Sequence, residues 1–364
     1  MKDQTNLAVA DRNAPTTRKR HEQAKAILEE FIVTNDLREG DKLPTEETLR
    51  NSLGWSRVTI ARALDALVWE GKLRRVQGSG TYVTSPKAAL QRARKLLIRS
   101  WPYESDDDYG IALAAGIRDE AAQQRIEVIF HAESPVPSIE IVRELGVDGV
   151  LSICWQLDDL QPFLRLRTAG IPLVGLAMRS RIGDLPLVCI DNYSGMVHAA
   201  EHLIEHGHRD ICFVTNSIDD SDVLERMLAF QNVAARHAIA IDPAFMLICR
   251  THLDDTIVRM WWSNLERKPS AMILHGVAAP MVLPFLQRLG IDIPRELSIV
   301  LIDDARSAKM FYPPLSVIRQ PSYELGRRGL AKLIGIIDGT EDESMEILPT
   351  ELIVRESVSW RDRP

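Results

Sequence analysis

The run Ser56-Arg57-Val58-Thr59, with Arg62 close behind, gathers two hydroxyls and two guanidiniums at the start of an amphipathic segment. Ile60, Ala63, Leu64 and Leu67 recur there at helical spacing, so the polar residues sit at the entry of a helix whose other face is buried. An arginine so placed can bond guanine O6 and N7 bidentately, and the hydroxyls can bond bases or phosphates. Free N–H groups at a helix start also favour phosphate. A shorter helix, capped by Thr45 and running through Leu53, precedes it, and Gly54 separates the two. Two short helices around such a turn have helix-turn-helix spacing. Beyond Gly71, two predicted strands at 72–76 and 81–83 flank the turn Gln77-Gly78-Ser79-Gly80. Its glycines allow close backbone approach, and Arg74, Arg75 and Gln77 make the hairpin a basic wing.

Other candidates lie further along. Trp101, Tyr103, Tyr109, Trp155 and His275 all follow predicted strand ends, where they could stack on a sugar ring or a planar ligand. Ordinary packing accounts for each of them equally well. His202 and His206 are spaced i, i+4 and His208 follows, but no carboxylate or cysteine pattern accompanies them, so a structural role is expected and no metal. The four cysteines, Cys154, Cys189, Cys212 and Cys249, are scattered through apolar runs, as expected of reduced thiols in a cytoplasmic protein. There is no P-loop, no GxSxG and no coherent nucleophile–base–orienter set, so neither enzymatic activity nor a cofactor is expected.

These residues need elements to hold them. Residues 1–19 read as a disordered arm, 20–84 as the winged helix-turn-helix domain opened by a helix over 21–35, and 85–95 as a polar linker containing Pro86. Residues 96–360 change character. Strands are predicted at 96–98, 126–130, 149–153, 173–176, 187–190, 211–214, 271–274 and 299–302. Helices at 111–124, 160–169, 195–206, 223–237 and 281–289 lie between them. Repeated βα units predict parallel sheets with helices on both faces, and the strands are too many for one compact sheet. Two α/β lobes follow, with the ligand site beyond the strands' carboxyl ends, in the cleft between them.

Composition agrees with this division. The chain of 364 residues is 45% hydrophobic and 26% charged, with 44 Lys/Arg against 51 Asp/Glu. Residues 1–99 hold 19 of the basic residues and 12 of the acidic ones, a surplus of seven positive charges. Residues 100–364 hold the other 25 and 39, a deficit of fourteen. A basic head on an acidic body suits a protein whose head alone meets a polyanion. No apolar run reaches the roughly 18 residues of a membrane span, and the N-terminus lacks a signal-peptide core.

Residues 20–84 resemble the GntR-family winged helix. The matching stretches are Gly40-Asp41-Lys42-Leu43-Pro44-Thr45-Glu46, Ser56-Arg57-Val58-Thr59-Ile60, Ala63-Leu64, Leu67, Glu70-Gly71 and Gln77-Gly78-Ser79-Gly80-Thr81-Tyr82-Val83. The resemblance implies that Arg57 reads bases in the major groove and that the wing tip Gly78–Gly80 touches the minor groove. It also brings Lys42 and Thr45 into the DNA-facing set with Ser56, Thr59, Arg62, Arg74 and Gln77. Glu47 and Ala61 stand where many members have DNA-contacting arginines.

The body resembles the sensor domain of the lac repressor family, which shares the periplasmic sugar-binding-protein fold. The carrying segments are Val147-Asp148-Gly149-Val150, Gly170-Ile171-Pro172-Leu173-Val174, Ile190-Asp191-Asn192-Tyr193-Ser194-Gly195, 202–211, Leu297-Ser298-Ile299-Val300, Pro313-Pro314-Leu315-Ser316 and 348–357. The resemblance implies an effector site holding Arg226 and Asp303, the guanidinium donating to two oxygens and the carboxylate accepting from vicinal hydroxyls. The family's polar pair after the strand at 271–274 is here Gly276-Val277, and an acid common after the strand at 173–176 is here Ala177. The implied protein is a homodimeric, cytoplasmic, effector-controlled repressor of carbohydrate-related genes that binds double-stranded operator DNA. An extracytoplasmic sugar-binding protein would need a signal peptide and would have no use for residues 20–84. A body serving only dimerisation is the other alternative.

Overall fold

The structure is a computed structural model. It describes residues 17–35, 37–69, 71–76, 79–84, 94–99, 108–131, 136–153, 159–177, 185–215, 221–249 and 253–361. The expected arm and linker fall mostly outside these, as do Gln77, Gly78, Trp101, Tyr103, Cys154 and Trp155.

The head contains helices Thr17–Thr34, Glu46–Leu53 and Arg57–Trp69, then the antiparallel hairpin β1 (Leu73–Val76) and β2 (Gly80–Val83). Leu28, Leu49, Ile60, Leu64, Leu67 and Leu73 close its core. The Thr45 hydroxyl accepts from Thr48 N–H at 3.2 Å, and Gly54 ends that helix with φ +66°, the left-handed conformation a turn between helices needs. Ser56 likewise accepts from Thr59 N–H at 3.2 Å. A lone bridge from Lys42 to Tyr82 lays the preceding loop along the wing.

In the body, every strand expected from an apolar run is present. The first lobe holds β3 (Lys95–Arg99), β4 (Glu127–His131), β5 (Gly149–Ile153), β6 (Leu173–Leu176), β7 (Leu187–Ile190) and β13 (Glu346–Leu348), in the order β13-β7-β6-β5-β3-β4, all parallel. The second holds β8 (Ile211–Thr215), β9 (Met246–Ile248), β10 (Ala271–His275), β11 (Ser298–Ile302), β12 (Ser316–Arg319) and β14 (Glu351–Ile353). Their order is β14-β12-β11-β10-β8-β9, parallel except for β14. Each sheet has a buried apolar cluster on both faces, which is why β5, β10 and β11 read as continuous apolar runs instead of alternating ones.

The chain passes between the lobes three times, always at carboxyl ends of strands. After β7 it enters helix Asn192–Glu205, which packs on the second lobe. After β12 it enters helix Ser322–Asp338, which packs on the first. After β13 it returns as β14. The three passages form a hinge, and both carboxyl edges border it. Helix Ser322–Asp338 went unread in the sequence because Gly326, Gly329 and Gly335 weaken a helical pattern. The structure supplies the reason for two of them: a Cβ at Gly326 would overlap the Leu113 carbonyl, and one at Gly329 the Leu176 side chain. Gly116 faces the Tyr323 carbonyl in the same way, so helices Asp108–Gln124 and Ser322–Asp338 cross backbone to backbone.

Candidate nucleic-acid interface and effector cleft

On the head, Ser56 and Arg57 are exposed at the start of the second helix of the pair, with Thr59 half-buried beside them. Arg57 makes no hydrogen bond or ion pair with any described residue, so its guanidinium is available. The Ser56 and Thr59 hydroxyls lie 2.8 Å apart. Arg62 is half-buried and lines a groove with Asp65, Ile139, Arg143 and Arg165, on the body side of the helix. On the wing, Arg74 lies over the Tyr82 ring at 5.2 Å, Lys42 approaches the same ring at 6.0 Å, and Ser79 meets the Tyr82 hydroxyl at 2.5 Å. Gly80 has φ +136°, a backbone conformation that favours glycine, and a Cβ there would fall 2.6 Å from Lys42 Cε and push the lysine's flexible end aside. Arg75, read from sequence as part of the basic wing, instead pairs with Glu46 at 2.9 Å and Asp65 at 2.7 Å, tying the hairpin to the helices.

In the body, Arg226 is brought in by helix Ser221–Arg236 and is 3% exposed. Its Nε and Nη2 donate to Asn192 Oδ1 at 3.0 and 2.6 Å, its Nη1 to His275 Nε2 at 3.1 Å, and its Nη2 more distantly to Gln320 Oε1 at 3.4 Å. A guanidinium can only donate, so His275 Nε2 accepts and the ring's proton sits on Nδ1, which meets Thr215 Oγ1 at 3.1 Å. Burial, with the Arg226 charge beside it, holds the His275 pKa well below the ordinary histidine value and keeps the ring neutral. Gln320 Nε2 donates to Asp303 Oδ1, which links the arginine to the carboxylate. Arg226, His275 and Asp303 are therefore one constellation.

Asp303 has φ +95°, a conformation unusual for a residue with a side chain. Its carboxylate lies against Gly276: a Cβ there would fall 2.5 Å from Asp303 Oδ2 and 2.8 Å from the Ile302 carbonyl. Glycine at 276 thus gives Asp303 its place. Val277 is 61% exposed next to it, and Ala177, at the end of β6, is buried with φ +59°. Neither can offer the hydrogen bonds that polar residues there would.

Asn192, Gln320 and Thr215 were not singled out from sequence. Asn192 opens the helix that follows β7, two residues past the strand, and Gln320 directly follows β12, so both sit on hinge passages; Thr215 ends β8. Polar residues immediately after strand ends were the available signal, but β12, enclosed by Pro313-Pro314 and Pro321, was not read as a strand. Cys189, Cys212 and Cys249 are buried. His206 Nδ1 lies 2.7 Å from the His202 carbonyl, and His208 bridges Ser270 Oγ at 3.0 Å and the Ser359 carbonyl at 3.1 Å, fastening the C-terminal segment. No described helix is long and apolar enough to cross a membrane.

Known proteins show the same two parts. The family described as "Bacterial regulatory proteins, gntR family" matches residues 20–83, and "Periplasmic binding protein-like domain" matches 200–358. The arabinose metabolism transcriptional repressor of Geobacillus stearothermophilus is 26% identical over 92% of this chain and 96% of its own. The transcriptional repressor PurR of Proteus mirabilis is 28% identical over 61% of this chain and 66% of its own. Among solved structures, a CelR–cellobiose complex superposes with a TM-score of 0.63 at 22% identity, covering 86% of this chain and all of that one. A LacI-family regulator from Enterococcus faecium with bound ribose does so with a TM-score of 0.63 at 20% identity, covering 74% of this chain and all of that one.

Proposed function

Because the chain joins a GntR-family DNA-binding domain (20–83) to a periplasmic-binding-protein-like domain, we propose that it is a transcriptional repressor released from, or held on, its operator by a sugar-class effector bound between the lobes. It acts in the cytoplasm as a homodimer, is not an enzyme, and needs no cofactor. The head spans 20–84, the linker 85–95 and the sensor 96–360.

The observation that carries this reading is the network of buried Asn192, Arg226 and His275 with half-buried Gln320 and Asp303. It lies at the carboxyl edge of the second lobe's sheet, and two of its members, Asn192 and Gln320, sit on hinge passages. A ligand that replaces the long Gln320–Arg226 contact and accepts from Arg226 acts directly on the chain segments that set the angle between lobes. A modest change in that angle suffices to alter the spacing of two heads on two half-sites. Arg57, with Ser56 and Thr59, carries base reading. Lys42, Thr45, Arg74, Ser79 and Gly80 carry the backbone and wing contacts, and Gln77 and Gly78, outside the described residues, are assigned to the same contacts from the sequence. Arg62 is assigned to this interface too, from the side nearest the body. Trp101, Tyr103 and Trp155, which lie outside the described residues, are assigned to effector binding from the sequence alone.

The test is footprinting of the full chain on the DNA upstream of its own gene, with and without neutral sugars, sugar acids and sugar phosphates. Protection of a two-half-site sequence that one ligand changes by tenfold or more supports the reading. Protection that no ligand changes would reduce the body to a dimerisation module.

A further inference from the structure

The first lobe carries a buried arginine that the reading above does not use. Arg99 is the last residue of β3, at the carboxyl edge of its sheet, and is fully buried. It shares a face with Leu97, which packs in the cluster with Phe163 and Leu166. Nη1 pairs with Asp159 at 2.9 Å and lies 3.4 Å from Ser152 Oγ on β5. Nε and Nη2 are buried with no hydrogen-bond partner among the described residues. These two nitrogens form one edge of the guanidinium, where two N–H bonds point the same way. That fork fits two oxygens of a carboxylate or a phosphate. An interior that leaves a whole charged edge unmatched is destabilised by it, so such an edge implies a partner supplied from outside the chain. A second feature agrees. Asp159 is the N-cap of helix Leu160–Thr168, but its side chain makes no capping bond. Its carboxylate is turned to Arg99 and away from the helix's positive end, which lies beside the pair.

We propose that Arg99 anchors an anionic group of the effector, a carboxylate or phosphate ester, with Nε and Nη2 donating to its two oxygens. This rests on the sensor reading above and narrows it: the effector is an acidic or phosphorylated sugar, held by its anion at the first lobe and by its hydroxyls at Arg226 and Asp303. Bound across both edges, it would draw the lobes together. The Asp159 carboxylate lies close enough to oppose an incoming anion, so it limits the affinity. That opposition separates the proposal from a merely structural Arg99–Asp159 pair.

The test is calorimetry on the full chain with glucose, ribose and arabinose, with gluconate and glucuronate, with glucose 6-phosphate and ribose 5-phosphate, and with inorganic phosphate alone. The expected result is that one acid or phosphate ester binds at least about 100-fold more tightly than its neutral counterpart, as two charge-assisted bonds imply. Asp159→Asn raises that affinity by tenfold or more. The double variant Arg99→Met with Asp159→Asn, which leaves no lone buried charge and is checked for folding by circular dichroism, loses it. Tight binding of a neutral sugar with operator release overturns the anion proposal and leaves the sensor reading standing. Inorganic phosphate binding as tightly as any ester overturns the assignment of Arg99 to the effector. Unchanged anion affinity in Asp159→Asn also overturns it, even if the double variant fails to fold. If nothing in the panel binds while the protein still binds its operator, both readings fall.

Discussion

Replacing Arg226 by methionine keeps most of the side chain's volume and removes its charge and donors. In the wild type, Asn192 Oδ1 accepts twice from this guanidinium and His275 Nε2 once, all in buried surroundings. The variant leaves two buried acceptors without their donor, at about 1–3 kcal/mol each, for a total of about 2–6 kcal/mol. In a body of this size about 1 kcal/mol moves the melting temperature by about 2–4 °C, so a loss on the order of 10 °C is expected in a thermal melt. There is a second consequence. Arg226 is one of the two causes that hold His275 neutral, and burial is the larger. Removing Arg226 lets the His275 pKa rise part of the way back. Because the folded value lies below the unfolded one, folding loses stability as pH falls below the unfolded histidine value near 6.5. The variant should therefore show a smaller His275 contribution to acid destabilisation than the wild type, read as the slope of melting temperature against pH. A melting temperature within 2 °C of wild type, with an unchanged slope, would refute the placement of Arg226 at the centre of a buried network.

Arg57→Ala should cost about 1–3 kcal/mol at the operator and flatten base preference at one position per half-site; equal losses on operator and random DNA in fluorescence anisotropy would make it a phosphate contact. Gly326→Ala sets a Cβ against the Leu113 carbonyl, so it should destabilise the first lobe by several kcal/mol, about as much as a severe overpacking, and a denaturant midpoint equal to wild type would contradict the close crossing of the two helices. His208, whose pKa burial pushes down to about 4, should make the body lose about 3 kcal/mol between pH 6.5 and 4, and His208→Gln should remove most of that dependence in urea melts at a series of pH values. Binding by residues 1–95 alone should be weaker than that of the full chain and fall steeply with salt; a body lacking the head that still retards DNA would break the division of labour.

Much of this was legible in the residues. Strands buried on both faces, such as β10 and β11, appear as unbroken apolar runs, and the head's helices are bounded by Thr45, Gly54, Ser56 and Gly71, whose cap chemistry is local. What escaped was non-local. β13 and β14 are three-residue strands that exist because the third hinge passage lays them on the outer edges of two sheets, and nothing within Glu-Ile-Leu or Glu-Leu-Ile states that. The glycines of helix Ser322–Asp338 look like helix breakers until the helix they touch is known. At the site, Arg226 and Asp303 could be carried over from a resemblance. Gln320 joins them only because β11 and β12 are neighbours in the sheet. Arg75 is another non-local case: in sequence it adds to the wing's positive charge, and only the fold sets Glu46 and Asp65 beside it.

The central claim is that a ligand in the cleft sets the affinity of the head for DNA. It is tested most directly by anisotropy titration of the full chain on its footprinted operator, with and without the tightest ligand found by calorimetry, in wild type and Asp303→Asn. That substitution keeps the size of the group and one acceptor but removes its charge. The account predicts a ligand-dependent shift in operator affinity of at least tenfold in wild type. In Asp303→Asn the shift should be lost, while ligand-free operator binding stays within about twofold. An equal shift in both proteins, or none in either at saturating ligand, would contradict it.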